Sequence, residues 1–184
     1  LVFSGHHFVP FASLGADAAQ NSITITSPAK CFNIAGCCSA FTIISDQARR
    51  ARFQVENSRL TVNKNNAFAN VAMLAAYQNG APWLDAAIGY IENNIAFVRD
   101  QLKSIDQVQM IEPEGTFLLW LDLRQLDLEP DGLHEFLRHK ARWAVSRGIS
   151  FGQQGAGFVR VNIACRRAIL EAALVDLRTA IAGN

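Results

Sequence analysis

A chain of 184 residues, half of them hydrophobic and 18% charged, can bury a real core and has a folded rather than a disordered composition. Its formal net charge of +1, with acidic and basic residues interspersed, argues against a nucleic-acid partner. No apolar run is long enough to cross a bilayer, and the N-terminus has neither the basic start nor the long apolar stretch of a signal peptide.

In chain order, Leu1, Val2 and Phe3 predict a short apolar strand. The sequence opens on Leu rather than Met, so the expectation is a chain that begins inside a sheet whose other strands lie upstream. Residues 4–10 predict a loop in which His6 and His7 are turn residues, and residues 13–20 a weak helix or turn. Residues 22–26 are rich in β-branched side chains and predict a strand. Residues 39–44 predict another, apolar enough to lie inside a covered sheet. Ser45 and Asp46 supply N-cap chemistry for an arginine-rich helix.

Residues 63–78 predict a helix carrying Phe68, Val71, Leu74, Ala75 and Tyr77 that stops at Asn79 and Gly80. Pro82 suits the first turn of the next helix. There Leu84, Ile88, Ile91, Ile95, Val98 and Leu102 form one apolar stripe. At ~1.5 Å per residue that helix reaches roughly 30 Å, long enough to join two domains. Residues 116–122 predict a strand, and residues 132–147 a helix with Leu133, Phe136, Leu137 and Ala144 on its apolar side. A strand over 158–163 and a terminal helix over 167–182 complete a compact α/β unit.

The four cysteines, Cys31, Cys37, Cys38 and Cys165, contain no CxxC spacing, and adjacent Cys37 and Cys38 would point to opposite sides of a strand. They predict small buried thiols in a reducing cytoplasm and no metal site.

Two residues stand out chemically. Lys30 leaves the strand over 22–26 through Ser27, Pro28 and Ala29, followed by Cys31, Phe32, Asn33 and Gly36. A lysine just after a strand is usually a solvated surface residue. Here the hydroxyls of Thr26 and Ser27 could hold phosphate oxygens, and an amine at a strand end can form a Schiff base once it is neutral. Arg160 sits in an apolar strand whose alternation puts Phe158, Arg160 and Asn162 on one face and Val159, Val161 and Ile163 on the other. It could snorkel to solvent, or it could face a ligand and hold a carboxylate in two parallel hydrogen bonds. Gly148, Gly152, Gly155 and Gly157, spread around Phe151, do not precede a helix and predict turns beside a site. His134 and His139 are expected to be solvated. Lysine and arginine together suit an enzyme that handles amino acids through pyridoxal phosphate.

Five segments carry a resemblance to a known family. They are Leu1-Val2-Phe3-Ser4-Gly5-His6-His7 with Pro10, then Ser27-Pro28-Ala29-Lys30-Cys31-Phe32-Asn33, and then Gly80-Ala81-Pro82-Trp83-Leu84-Asp85. Pro113-Glu114-Gly115-Thr116-Phe117-Leu118-Leu119-Trp120-Leu121-Asp122 and Gly157-Phe158-Val159-Arg160-Val161-Asn162 follow. In this order they resemble the C-terminal half of fold-type-I pyridoxal-phosphate enzymes, specifically the MalY/PatB group of cystathionine β-lyases within the class I and II aminotransferase superfamily. The resemblance implies that Lys30 is the catalytic lysine joined to the cofactor, that Ser27 helps bind the cofactor phosphate, and that Arg160 holds the substrate α-carboxylate. It implies residues 1–80 as the C-terminal part of the large cofactor domain, and residues 81–184 as a linking helix and small C-terminal domain. Many aminotransferases carry an arginine eight residues after the lysine, where this chain has Cys38, which agrees better with the lyase group.

The expected reaction is β-elimination from a small sulfur-containing amino acid, giving pyruvate, ammonia and a thiol. An aminotransferase on the same scaffold is the alternative, and a non-catalytic interaction fragment a further one. The resemblance also implies a homodimer with active sites at the subunit interface; a cytoplasmic location follows from the cysteines, and no nucleic-acid or membrane partner is expected from the charge balance and the apolar runs. It places the pyridinium-binding aspartate, the stacking aromatic and the phosphate loop upstream, so these residues alone are expected to be inactive. They are also expected to show strand edges and an uncovered apolar face over residues 1–44.

Overall fold

The computed structural model describes residues 1–62, 64 and 66–183. The chain divides into two compact units, one made of Leu1 and Gly5–Ala87, the other of Val2–Ser4 and Ile88–Asn184.

In the first unit a 3-10 turn (Phe11–Leu14) and helix α1 (Ala16–Gln20) precede an antiparallel ribbon of β1 (Thr24–Thr26) and β2 (Phe41–Ile43). Helices α2 (Gln47–Arg59) and α3 (Ala67–Asn79) follow, and the first turns of α4 (Ala81–Leu102) complete the unit. Helix α2 starts where sequence chemistry says it should, with the Asp46 carboxylate accepting the Arg49 N–H at 2.6 Å. Helix α3 starts at Ala67, capped by the Asn66 side chain; positions 63 and 65 of the expected helix lie outside the described residues.

The expectation that residues 39–44 lie inside a covered sheet is not met among the described residues, while the expected uncovered apolar face over residues 1–44 is present. Ile25 and Ile43 are 67% and 51% exposed, because two three-residue strands cannot bury both of their faces. The apolar residues of α3 are also open, Phe68 at 83% and Val71 at 69%. The cysteines are corrected too. Cys31, Cys37 and Cys165 are half-buried and Cys38 is exposed, and Cys37 ends a 3-10 turn with Cys38 left-handed (φ 50°) rather than in a strand.

The second unit holds the core. The stripe read from the sequence buries Ile91, Ile95, Val98 and Leu102 of α4 to 6% exposure or less, each worth ~1.5–3 kcal/mol. They pack in one cluster with Leu119, Leu121 and Val159 of the sheet and with Leu170, Leu174 and Leu177 of α6 (Arg167–Ala182). Strands β3 (Gln109–Ile111), β4 (Leu118–Asp122), β5 (Ser146–Arg147) and β6 (Phe158–Asn162) form an antiparallel sheet in the order β3-β4-β6-β5. The expected mixed α/β architecture is borne out.

Three local expectations change. Leu1, Val2 and Phe3 form no continuous strand: Val2 makes one antiparallel bridge to Gly115, and the Phe3 N–H donates to the Glu114 carbonyl (3.0 Å). Phe3 is thereby buried in the core of the second unit. The helix expected over 132–147 ends early. Helix α5 (Pro130–Glu135) runs into a π-helical turn (Phe136–Lys140), and Arg142 in the left-handed region (φ 58°) turns the chain away. Ala144 is therefore exposed, and the following residues become the edge strand β5. Trp143 is buried there, its Nε1–H donating to the Ala173 carbonyl at 2.7 Å.

Asn94, wholly buried within α4, ties the helix to the exit of β6. Its Nδ2 donates to the carbonyls of Ile163 (2.9 Å) and Cys165 (3.1 Å), and its Oδ1 accepts from Arg167 Nε (3.0 Å). Asn94→Ala would strand these partners, so a loss of about 2–4 kcal/mol is expected in urea unfolding. Wild-type stability in that variant would show the network to be dispensable.

Candidate active site

In the first unit the chain leaves β1 into a single helical turn that carries Lys30. The Phe32 N–H donates to the Pro28 carbonyl and the Ile34 N–H to the Ala29 carbonyl, both at 3.0 Å, and Asn33 closes the turn with φ 54°. Ser27 pins its start, its hydroxyl accepting the Ala29 N–H (3.1 Å) and donating to the Ser39 carbonyl (2.5 Å). That hydroxyl has one proton, already committed to Ser39, so in this conformation Ser27 shapes the turn. Lys30 itself is exposed and has no hydrogen-bond or ion-pair partner among the described residues.

Two residues on, Phe32 anchors the turn to the corner between α3 and α4. Its ring meets Tyr77 edge-on (5.8 Å between centroids) and lies 6.5 Å from Trp83. Only a glycine fits beneath it: a Cβ on Gly80 would stand 2.6 Å from the Phe32 ring and 2.4 Å from the Ala76 carbonyl. Gly80→Ala should cost about 1–3 kcal/mol and shift the Lys30 turn. Chemical denaturation and the reactivity of the Lys30 amine check this, and unchanged values for both would mean that Phe32 does not seat the turn.

In the second unit the sheet has one face in the core and one open. Alternation along β6 works as the sequence indicates, with Val159 and Ile163 buried and Asn162 exposed on the other side. On that open face Trp120, Arg160 and Ser146 lie opposite one another across β4, β6 and β5. The Arg160 guanidinium donates to Ser146 Oγ at 3.3 Å and lies 4.6 Å from the centroid of the Phe151 ring. Phe151 meets Trp120 edge-on at 5.7 Å, and Trp120 stacks on Phe158 at 5.6 Å. No carboxylate pairs with Arg160 among the described residues.

Arg124 is the contrasting case on the same face. Its guanidinium covers Phe158 at 4.8 Å but is already paired, donating to Asp122 through Nε (3.0 Å) and Nη2 (2.6 Å). The hydrogen bonds from Arg124 hold the Asp122 carboxyl below the usual carboxylate range, against the opposing effect of burial. Burial pushes the Cys165 thiol upward. His139 meets Glu135 one helical turn away (3.1 Å) on an exposed face, as a solvated histidine should.

Sequence reasoning singled out Lys30, Ser27 and Arg160 but not the side chains around Arg160. Trp120 was within reach, since alternation in β4 puts it opposite buried Leu119 and Leu121. Ser146 was not, because it falls inside the helix that the spacing predicts over 132–147. The turns around Phe151 are present, with Gly152 (φ 128°) and Gly157 (φ 79°) in backbone conformations that favour glycine.

The sequence profile described as Aminotransferase class I and II matches residues 1–177. The chain is 37% identical over 185 residues to cystathionine beta-lyase PatB of Bacillus subtilis (strain 168), spanning 98% of this chain and 47% of that protein. Among solved structures, a PLP-bound putative aminotransferase from Clostridium difficile 630 superposes with a TM-score of 0.94 at 35% identity, over 98% of this chain and 47% of that one. Cystalysin from Treponema denticola, which contains a pyridoxal 5'-phosphate cofactor, superposes at 0.93 with 31% identity, over 100% of this chain and 47% of its own. The chain thus spans about half the length of the curated relatives it matches. No helix among the described residues is long and apolar enough to cross a membrane.

Proposed function

Because this chain belongs to the class I and II aminotransferase family, we propose that it supplies the catalytic lysine and the carboxylate-binding arginine of a pyridoxal-phosphate-dependent carbon–sulfur β-lyase. The substrate class is a small sulfur-containing amino acid of the cystathionine type, as the name of the Bacillus subtilis relative suggests. Residues 1–80 would belong to the cofactor domain, residues 81–184 would form the linking helix and small domain, and the working assembly would be a homodimer. The observation that carries this reading is Arg160, a cation held on an open sheet face by neutral groups, with its charge unspent.

The residues present fit the cofactor. Lys30 is an exposed amine without a partner among the described residues, on a turn braced at both ends, which suits covalent attachment to an aldehyde. The hydroxyls of Thr26 and Ser27 lie at the start of that turn, and Ser27 would reach a phosphate oxygen by exchanging its bond to Ser39. When bound, pyridoxal phosphate supplies the aldehyde and an electron-accepting ring that takes up charge from the substrate α-carbon. The chain's own contributions are separate. Lys30 holds the cofactor and, as the free amine, removes the α-proton. Arg160 fixes the α-carboxylate by a forked, charge-assisted pair of hydrogen bonds and so orients the α-carbon. The β-carbon–sulfur bond breaks to release the thiol, and one water from solvent hydrolyses the remaining imine, giving pyruvate and ammonia.

The aminotransferase reading is favoured by the description of the Clostridium difficile structure as a putative aminotransferase. Both readings use the same lysine and arginine. Incubating the full-length protein with cystathionine, and separately with an amino acid and a keto acid, decides between them. Pyruvate with free thiol is the expected result, and a new amino acid without thiol would replace the lyase by the aminotransferase.

A further inference from the structure

The geometry points to Phe151, together with Ser146, as a positioning residue that aims the Arg160 guanidinium and leaves its charge free for a substrate carboxylate. This rests on the reading of Arg160 given above. Two observations carry it. First, the hydrogen-bond and ring partners of the guanidinium among the described residues are uncharged, an aromatic face at 4.6 Å and a hydroxyl at 3.3 Å. An acidic neighbour would hold the fork equally well, as Asp122 holds Arg124, but an incoming carboxylate would then have to displace it. A π face and a hydroxyl restrain the side chain without competing for that charge.

Second, Phe151 is itself held. It ends the 3-10 turn Gly148–Phe151, packs edge-on against Trp120, and sits on a loop closed by the contact of Gly148 with Gly155. A Cβ at either glycine would come within 2.2 Å of the other's carbonyl oxygen. The ring is nevertheless 55% exposed, so its contacts do not explain it as a core residue. Register does the rest, because Ser146 is the direct cross-strand neighbour of Arg160 on the same face.

The test uses full-length protein and propionate, a carboxylate without an amine that cannot react with the lysine or the cofactor. Binding is read from the propionate methyl resonance by saturation-transfer NMR, which needs no signal from Arg160, and turnover is measured in parallel. Phe151→Leu should weaken propionate binding and raise KM by about 3- to 30-fold with kcat within about twofold, and Phe151→Tyr should restore both. Ser146→Asp should bring a carboxylate to the guanidinium and reduce propionate binding to the level of Arg160→Ala. Unchanged binding in Phe151→Leu or in Ser146→Asp, with Arg160→Ala defective, would overturn the positioning role alone. Unchanged binding in Arg160→Ala would overturn the carboxylate-site reading beneath it, and this inference with it.

Discussion

Lys30→Ala is expected to lower turnover of the full-length protein by about 10³-fold or more, since under the proposed function one side chain would both attach the cofactor and move the α-proton. The fold should be unaffected. Lys30 is exposed and has no partner among the described residues, and substitutions at such positions usually stay within about 0.5 kcal/mol. The visible absorbance of covalently attached cofactor should vanish while the melting temperature stays put. A mutant that keeps both its turnover and its visible spectrum would remove Lys30 from the site. One that loses activity only by unfolding would make the lysine structural.

Arg160→Ala should lower kcat/KM by about 30- to 1,000-fold, the equivalent of roughly 2–4 kcal/mol for a forked, charge-assisted contact. The loss should fall mainly on binding, because in the proposed function the guanidinium would grip a carboxylate that does not react. Arg160→Lys should recover only part of it, since an ammonium cannot make two parallel hydrogen bonds to one carboxylate. Steady-state kinetics with the sulfur amino acid measures both variants. A change below about threefold in Arg160→Ala, the scale of an exposed ion pair, would return the residue to the role of a surface cation.

The parts of this protein that were legible in the sequence are those set by neighbours along the chain. Asp46 caps α2, Pro82 sits in the first turn of α4, and the spacing from Ile88 to Leu102 turns one side of that helix into the core. Arg160 could be placed on the open side of its strand because side chains alternate, and Lys30 could be placed on the turn because Ser27, Pro28 and Asn33 are turn chemistry. These are local rules, with periods of two or about 3.6 residues, and at these positions no distant partner overrode them.

What tertiary structure decided depends on partners far away in the chain. The apolar spacing of Leu133, Phe136 and Leu137 could have continued through Ala144; the left-handed Arg142 and the burial of Trp143 against α6 ended the helix and released Ser146 to pair with β6. Val2 and Phe3 look like sheet residues, yet Val2 pairs with Gly115 and the Phe3 N–H donates to the Glu114 carbonyl, more than a hundred positions on. Asn94 is an ordinary polar residue in sequence and a wholly buried cross-link in the fold. The surroundings of Arg160 belong to the same class. Sequence alone determined that a cation would stand on the open face of β6. Cross-strand register and the Gly148–Gly155 contact decided that Ser146 and Phe151 would hold it, because hydrogen bonds and ring contacts form between groups close in space, whatever their separation along the chain.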